Sequence, residues 1–493
     1  MAEGRPMTRV LEGVTALDPD RPALVVGDRV TTYAELSEAV RRCAAGLAAH
    51  GVEPGWRVPL VDDASLLSVA TLLAAAHLGA AAALMNPRLT AGELADLRAA
   101  AGAAPLGVAG AGYEAALAGA GGTGVLGAEE LLGAPADDAP PPADPDPGAD
   151  AVVLFTSGTT GTPKAVPISH GLVGPRVAAF SPTVDPVAAV SLMCVPLVHI
   201  GGMLGLLVAL AKGSTVVVQT RFDAGEWLAL AERHRVNSSF VVPTMLHRIL
   251  EHPGFSERDL SAMVAVSYGA APASPDLIRR TMDRLPGVAL TNTFGQTETL
   301  GSITALLPGD HTPEKLASVG RPLPGVEVRV VDPVTKEVVA TGTVGELWVR
   351  TEASVIPSAQ AADPSVPAGW LRTGDMVSVD EEGYLYPAGR LSDTINRGGE
   401  KFAPSEVEAV LGDHPAVVDV AVVGVPDPEM GSRVGAAVVA RAPVTADELR
   451  RHCRGRIANF KLPEQVLVVD EIPYNDFGKV DRRVLRDLFL AAR

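Results

Sequence analysis

The chain has 493 residues, and its 58 Asp and Glu against 41 Lys and Arg leave a formal net charge of −17. Apolar residues make up 47 % and charged residues 20 %, which excludes global disorder, and at roughly 100–200 residues per domain the length predicts two to four domains. So acidic a chain is a poor nonspecific binder of nucleic acid or anionic membrane, although one local site for an anionic ligand stays open.

The three cysteines, Cys43, Cys194 and Cys453, form no CxxC and stand near no His/Cys cluster. That excludes a disulfide framework and a zinc ribbon and suits a reducing compartment. The opening MAEGRPMTRVLEGV lacks the apolar stretch of a signal peptide, so a cytoplasmic location is expected. Thr32–His50 has helical spacing, with Thr32 and Glu35 as a capping box. Ser65–Pro87 is free of Asp, Glu, Lys and Arg and long enough to span a bilayer. Its alanines, polar interruptions and Gly79 read instead as a buried helix to about His77, a stop, then a buried strand ending at Asn86-Pro87. Residues 101–149 are rich in Ala, Gly, Pro and Asp and read as an irregular surface excursion or linker.

From Ala151 the pattern becomes strand, glycine loop and helix, then β/α alternation to about residue 300, which predicts mostly parallel sheets covered by helices. Residues 320–390 are strand-rich. Composition changes near Gly389-Arg390. A helix is then expected at Ser405, capped through Glu408, followed by two strands, a Thr445–Glu448 capping box, a strand at QVLVV and a final helix after Val480. No internal repeat is visible.

Val152–Lys164, VVLFTSGTTGTPK, carries the most chemistry. An apolar strand runs into Thr156, Ser157, Gly158, Thr159, Thr160 and Gly161 and ends at Lys164. Glycines admit a ligand close to backbone, amides and hydroxyls can cradle phosphate, and Lys164 adds a mobile positive charge. The G-x-x-G-x-x-K spacing is not that of a P-loop. A solvated Ser/Thr/Gly turn would have the same composition.

FTSGTTGTPK strongly resembles the signature of the acyl-adenylate-forming enzymes, which include acyl- and aryl-CoA synthetases, peptide-synthetase adenylation domains and luciferases. VPLVHIGG (195–202), YGAAP (268–272), NTFGQTE (292–298), GELWVR (345–350), LRTGD (371–375), GRLSD (389–393), GGEKFAPSEVE (398–408) and NDFGKV (475–480) follow in the family's order. The resemblance therefore covers nearly the whole chain. It implies an α/β fold: a large N-terminal domain of mixed sheets and helices (1–389), a hinge (390–393) and a small mobile C-terminal α+β domain (394–493).

The resemblance also implies roles. Gly269, Ala270, Ala271 and Pro272 would form the adenine loop. Asn292 would pair with the adenine edge and Phe294 would stack on the ring, with Thr293 and Gly295 completing that loop. Thr297 would reach the α-phosphate, and Glu298, otherwise an ordinary surface carboxylate, would be the Mg²⁺–ATP ligand; magnesium takes hard oxygens and shares them with phosphate. Asp375 would accept the ribose hydroxyls and Arg390 would contact ribose and phosphate. Lys479 would enter the active site during adenylation. His199 would stand at the mouth of the acyl pocket, a structural histidine being the alternative. Gly398 and Gly399 would pass the pantetheine arm of CoA. Three positions depart from the pattern: Ala165 where glycine is usual, Ser392 where a charged residue is common, and no Gly-Tyr after GELWVR.

The implied reaction joins a carboxylic acid to AMP from MgATP, releasing pyrophosphate, and then transfers the acyl group. Two anions must approach, so a fixed cation and Mg²⁺ are required rather than a nucleophilic side chain. The expected acceptor is CoA; an amine is the close alternative and a carrier-protein thiol the third, with no fused carrier domain expected after the last helix. A noncatalytic ATP-binding module is disfavoured because Lys164, Glu298 and Lys479 are all present. A nicotinamide oxidoreductase is disfavoured because no G-x-G-x-x-G opens a βαβ unit. Leu197, Val198 and Ile200 flank His199, and neither Val264–Pro272 nor Thr291–Ser302 holds Arg or Lys. Burying an unpaired charge is costly, so a neutral, largely apolar acid is expected. Oligomeric state is left open.

Overall fold

Thr32 accepts a hydrogen bond from the Glu35 backbone N–H, and Glu35 returns its carboxylate to the Thr32 N–H. Two donors that a helix start leaves without partners are thereby satisfied, and the helix runs Tyr33–Ala49. Ser65 and Ser68 cap Leu66–His77 in the same reciprocal way. Gly79, at φ 71°, ends that turn, and the fully buried strand Ala81–Met85 follows. The apolar run is thus a core helix and strand. In this computed structural model, which describes residues 7–157, 163–180, 189–474 and 480–492, no helix among the described residues is long and apolar enough to cross a membrane.

Three sheets build the large domain. The first has nine strands and is parallel through its middle, from Pro22–Val26 across Thr215–Val218, Val190–Met193, Ser238–Val241 and Ala265–Gly269 to Ala289–Gln296. The second has six strands, parallel except where Asp150–Ser157 meets Pro163–Ser169. Leu36, Leu72, Met203, Leu206 and Leu207 from helices pack with Val58 and Leu60 of the six-stranded sheet and Val216 and Val218 of the nine-stranded one. One apolar core therefore holds both sheets, which explains why Ala- and Leu-rich helices read as buried all round. The third sheet is antiparallel, Glu327–Val331, Gly345–Arg350, Leu371–Val379 and Leu385–Arg390.

Three expectations need correction. Residues 101–149 are not one surface excursion. Strands Leu106–Ala109 and Gly124–Leu126 join the six-stranded sheet, helices Glu114–Gly119 and Ala128–Leu132 flank them, and Leu106, Val108, Leu117, Leu126 and Leu131 are buried. Short elements with few large apolar residues hid their periodicity among Ala and Gly. The loop after Asp150–Ser157 does not enter a helix directly either: Pro163–Ser169 first returns antiparallel, and helix His170–Phe180 comes after it. Finally, Ser405 is not a helix cap. The helix is Pro404–Gly412, Glu406 accepts from the Ala403 N–H, Ser405 donates to Ala388 O, and Glu408 accepts from the Val422 N–H.

After Arg390 a short 3₁₀ turn, Leu391–Asp393, leads into the small domain. A hairpin (Ile395–Arg397 with Glu400–Phe402) and a three-stranded sheet (Val417–Asp427, Gly431–Ala440, Gln465–Val468) form it with helices Pro404–Gly412, Ala446–Cys453 and Arg482–Ala491. Thr445 and Glu448 cap the second of these as expected. Arg482 of the last helix reaches Asp393, Glu408 and the Val422 carbonyl. That single guanidinium ties the turn, a helix and a strand together.

Candidate active site

The parallel register of the nine-stranded sheet brings two distant motifs level. Tyr268 lies opposite Asn292 and Gly269 opposite Thr293. A Cβ on Gly269 would stand 2.0 Å from Thr293 O, and one on Gly295 would stand 1.9 Å from Gly301 O. Neither position admits a side chain, so backbone forms this wall. Ala270 holds φ 65°, a left-handed conformation that costs a non-glycine residue about 1–2 kcal/mol and persists where surroundings impose it. One such constraint is adjacent: His311 Nδ1 lies 2.9 Å from Leu307 O and must donate, so Nε2 accepts from the Tyr268 hydroxyl at 3.1 Å. Burial pushes the His311 pKa down and keeps that neutral form.

Asn292 is 7 % exposed, and its Nδ2 donates to Ser318 O at 3.1 Å. That bond fixes which way the amide points and leaves Oδ1 to accept. Phe294 is half-buried and packs on the cluster of Ile303, Val319, Val330, Leu347 and Leu385. Gln296 donates from Nε2 to Asp375 and to Thr373 O. Asp375 is 7 % exposed and pairs with Arg390 Nε at 2.8 Å, across the register of their two strands. A carboxylate offers about four lone-pair sites, so Asp375 can hold these donors and still accept more. Sequence reasoning missed Gln296, although it stands between residues already singled out.

Thr297 and Glu298 occupy the turn Thr297–Thr299. The turn is held from two sides. Val355 N–H donates to Glu298 O at 2.7 Å, and Arg176, from helix His170–Phe180, donates to Leu300 O at 3.2 Å and to Ser302 O. Arg176 carries the strand–loop–helix segment's geometry into the Glu298 turn; no local signal in its sequence marked it. Thr156 lies opposite Lys164 where Asp150–Ser157 and Pro163–Ser169 pair, and Lys164 is exposed. His199 caps helix Ile200–Lys212, half-buried, and lines a cleft with Asp62, Asp63 and Gln219.

The fold therefore gathers Gly269–Pro272, Asn292–Glu298, Asp375 and Arg390. It does not gather Gly398 and Gly399 with them: these have φ 61° and 94°, are exposed, and receive contacts from Met430 and Asn396 of the small domain. Gly158, Thr159, Thr160, Gly161 and Lys479 lie outside the described residues.

The family model for AMP-binding enzymes matches residues 11–356, and that for the AMP-binding enzyme C-terminal domain matches 406–479. The chain belongs to the AMP-binding enzyme family. Among its relatives, a feruloyl-CoA synthase of an Amycolatopsis species is 36 % identical over 96 % of this chain and 97 % of its own. The structure of the amide bond synthetase McbA from Marinactinospora thermotolerans superposes with TM-score 0.87 at 32 % identity, covering 98 % of this chain and all of the other. The o-succinylbenzoate-CoA synthetase of Bacillus subtilis, in complex with its acyl-adenylate, gives 0.85 at 30 %, covering 98 % of each chain.

The residues of this AMP-binding enzyme fit a magnesium nucleotide. Among the described residues no group of three or more His, Cys, Asp or Glu could hold a metal alone. Magnesium bound by one carboxylate, its remaining ligands coming from phosphates and water, is what Glu298 allows.

Proposed function

We propose that the chain is an AMP-forming carboxylate ligase that converts an acid and ATP to acyl-AMP and pyrophosphate and then passes the acyl group to CoA. The observation that carries this is the side-chain-free wall of Gly269 and Gly295, flanked by an oriented Asn292 amide and the buried Asp375 carboxylate. Adenine lies against backbone, Asn292 Oδ1 accepts from its exocyclic amine, and Asp375 accepts from the ribose hydroxyls. Phe294 offers its exposed edge or face to the ring. Mg²⁺ held by Glu298 offsets phosphate charge when bound. Lys479 places its ammonium between carboxylate and α-phosphate, lowering the repulsion that otherwise opposes their approach. The carboxylate oxygen then bonds to the α-phosphorus while the bond to pyrophosphate breaks.

The acid is neutral and largely apolar. Leu197, Val198 and Leu204 beside His199 are buried, and the guanidinium of Arg176 is committed to two carbonyls. The small domain turns about residues 390–393 between the two half-reactions. CoA as acceptor is supported by the CoA ligases among the relatives. An amine is the second reading, supported by the likeness to an amide bond synthetase and by the carboxylates of Asp62 and Asp63 in the cleft beside His199. A panel of acids assayed for pyrophosphate release, with CoA and amines tested side by side, checks both halves. Absence of acid-dependent pyrophosphate release would overturn the ligase reading.

A further inference from the structure

The cleft beside His199 lies where the two large sheets meet. Asp62 and Asp63 follow strand Arg57–Val61 of one, and Gln219 follows strand Thr215–Val218 of the other. It measures about 20 Å³, room for one water- or ammonium-sized group. Gln219 is 3 % exposed. Its Nε2 donates to Asp223 O at 2.8 Å and to Glu226 Oε2 at 2.9 Å. Both partners are acceptors, so that atom is the amide nitrogen, and Oε1 is a buried acceptor with no partner among the described residues. Such an atom is costly unless something donates to it.

Asp62 and Asp63 are acceptors as well, and Arg88 and His199 share the lining. Ser65 donates to Asp62. A Cβ on Gly110 would lie 1.8 Å from Asp62 Oδ1, so glycine there lets the carboxylate lie against backbone. Burial, with the charge of Asp63 adding to it, pushes the Asp62 pKa up to about 6, the Ser65 hydroxyl opposing the shift. Asp63 accepts from Tyr113 at 2.7 Å and has Arg221 at 4.0 Å, a side chain 67 % exposed. A primary ammonium, with three donors, complements the Asp62 carboxylate and the Gln219 oxygen.

The geometry points to this cleft as the seat of an amine, the second acceptor proposed above, held through its ammonium by Asp62 and Gln219. This rests on the acyl-adenylate reading above. In the transfer, the ammonium gives a proton to Asp62, and the freed nitrogen pair bonds to the acyl carbon. The bond from that carbon to the phosphate oxygen breaks, AMP leaves with the electron pair, and the second nitrogen-bound proton passes to solvent.

Two measurements test the assignment. Calorimetric titration of the full-length protein with n-butylammonium chloride needs no activation chemistry; binding is expected in wild type and weakened about tenfold or more in Asp62→Asn and in Gln219→Leu. Potassium or CoA binding in place of butylammonium, or binding unmoved by both variants, would overturn it; a buried water alone gives that null result. In the second, both variants should release pyrophosphate within about twofold of wild type while KM for an amine rises about tenfold or more. Asp62→Glu, which keeps the charge, should recover part of the loss, and circular dichroism guards against misfolding. A KM shift for CoA instead of the amine would also overturn it. Butylammonium binding without any pyrophosphate release would uphold the cleft and sink only the ligase reading.

Discussion

Two glycine-bearing sites in this chain are built in opposite ways. In the large domain, Gly269 and Gly295 have backbone oxygens about where a Cβ would go, at 2.0 and 1.9 Å. Around them Asn292 is held by the Ser318 carbonyl, and Gln296 and Asp375 hold each other across two different sheets. In the small domain, a Cβ on Gly399 would meet nothing within 4 Å, and one on Gly398 would meet only the flexible end of Met430. The first pair is glycine because packing forbids anything else; the second is glycine because of backbone conformation, φ 61° and 94°. In the proposed mechanism the first pair walls a nucleotide and must be rigid to orient a reaction, whereas the second serves a domain that turns and needs a shape it can present in more than one pose.

The largest expected effect comes from the small domain. Lys479→Ala should slow acid-dependent pyrophosphate release by about two to three orders of magnitude, since a fixed electrostatic donor is worth about 2.7–4 kcal/mol in such sites. Transfer from preformed acyl-AMP should suffer less, and near wild-type pyrophosphate release would remove Lys479 from the mechanism. Next come the glycines themselves. Gly295→Ala should destabilise the protein by about 1–3 kcal/mol through overpacking and abolish tight ATP binding. Gly399→Ala should cost about 1–2 kcal/mol of local strain, leave adenylation intact and slow transfer to CoA. Thermal melts and ATP titrations of the pair decide this; equal ATP affinity in both would erase the distinction drawn between the two sites.

A smaller effect is expected at Glu298→Gln, which should raise the Mg²⁺ concentration needed for half-maximal adenylation, because a neutral amide is a poorer magnesium ligand. Superimposable magnesium titrations would exclude Glu298 as the ligand. The smallest is Ser392→Pro. Ser392 sits in the 3₁₀ turn Leu391–Asp393, and the φ of about −50 to −70° usual in such turns overlaps the −65° that proline imposes. The substitution should hold the described pose and slow whichever half-reaction needs the other. Acyl-AMP should still form while transfer slows; equal loss of both steps in a folded variant would argue against rotation at this turn.

Much of the site was legible because it is written in short contiguous motifs. NTFGQTE, YGAAP and TGD each carry their residues within one turn or strand end, and capping boxes at Thr32 and Thr445 marked helix starts to the residue. What could not be read is what crosses between segments. Arg176 and Leu300 are held together by helix packing, not by spacing. His311 reaches Tyr268 from beyond a strand and a turn. Gln219 and Asp62 come from different sheets and meet only because one core joins them. Residues 101–135 misled for another reason: alanine and glycine form short strands and helices without the apolar periodicity that announces them.

The sequence by itself determined the family and the outline of the two domains and marked the motifs of a candidate nucleotide site, because local hydrogen-bonding and conformational demands select residue types at fixed spacing. Only the tertiary structure decided why Gly269 and Gly295 cannot be replaced, which groups hold Asp375 and the Glu298 turn, and that Asp62 and Gln219 line one cleft beside His199. Those are properties of distances between strands, and a distance between residues far apart in the chain exists only once the sheets have paired and the core between them has closed.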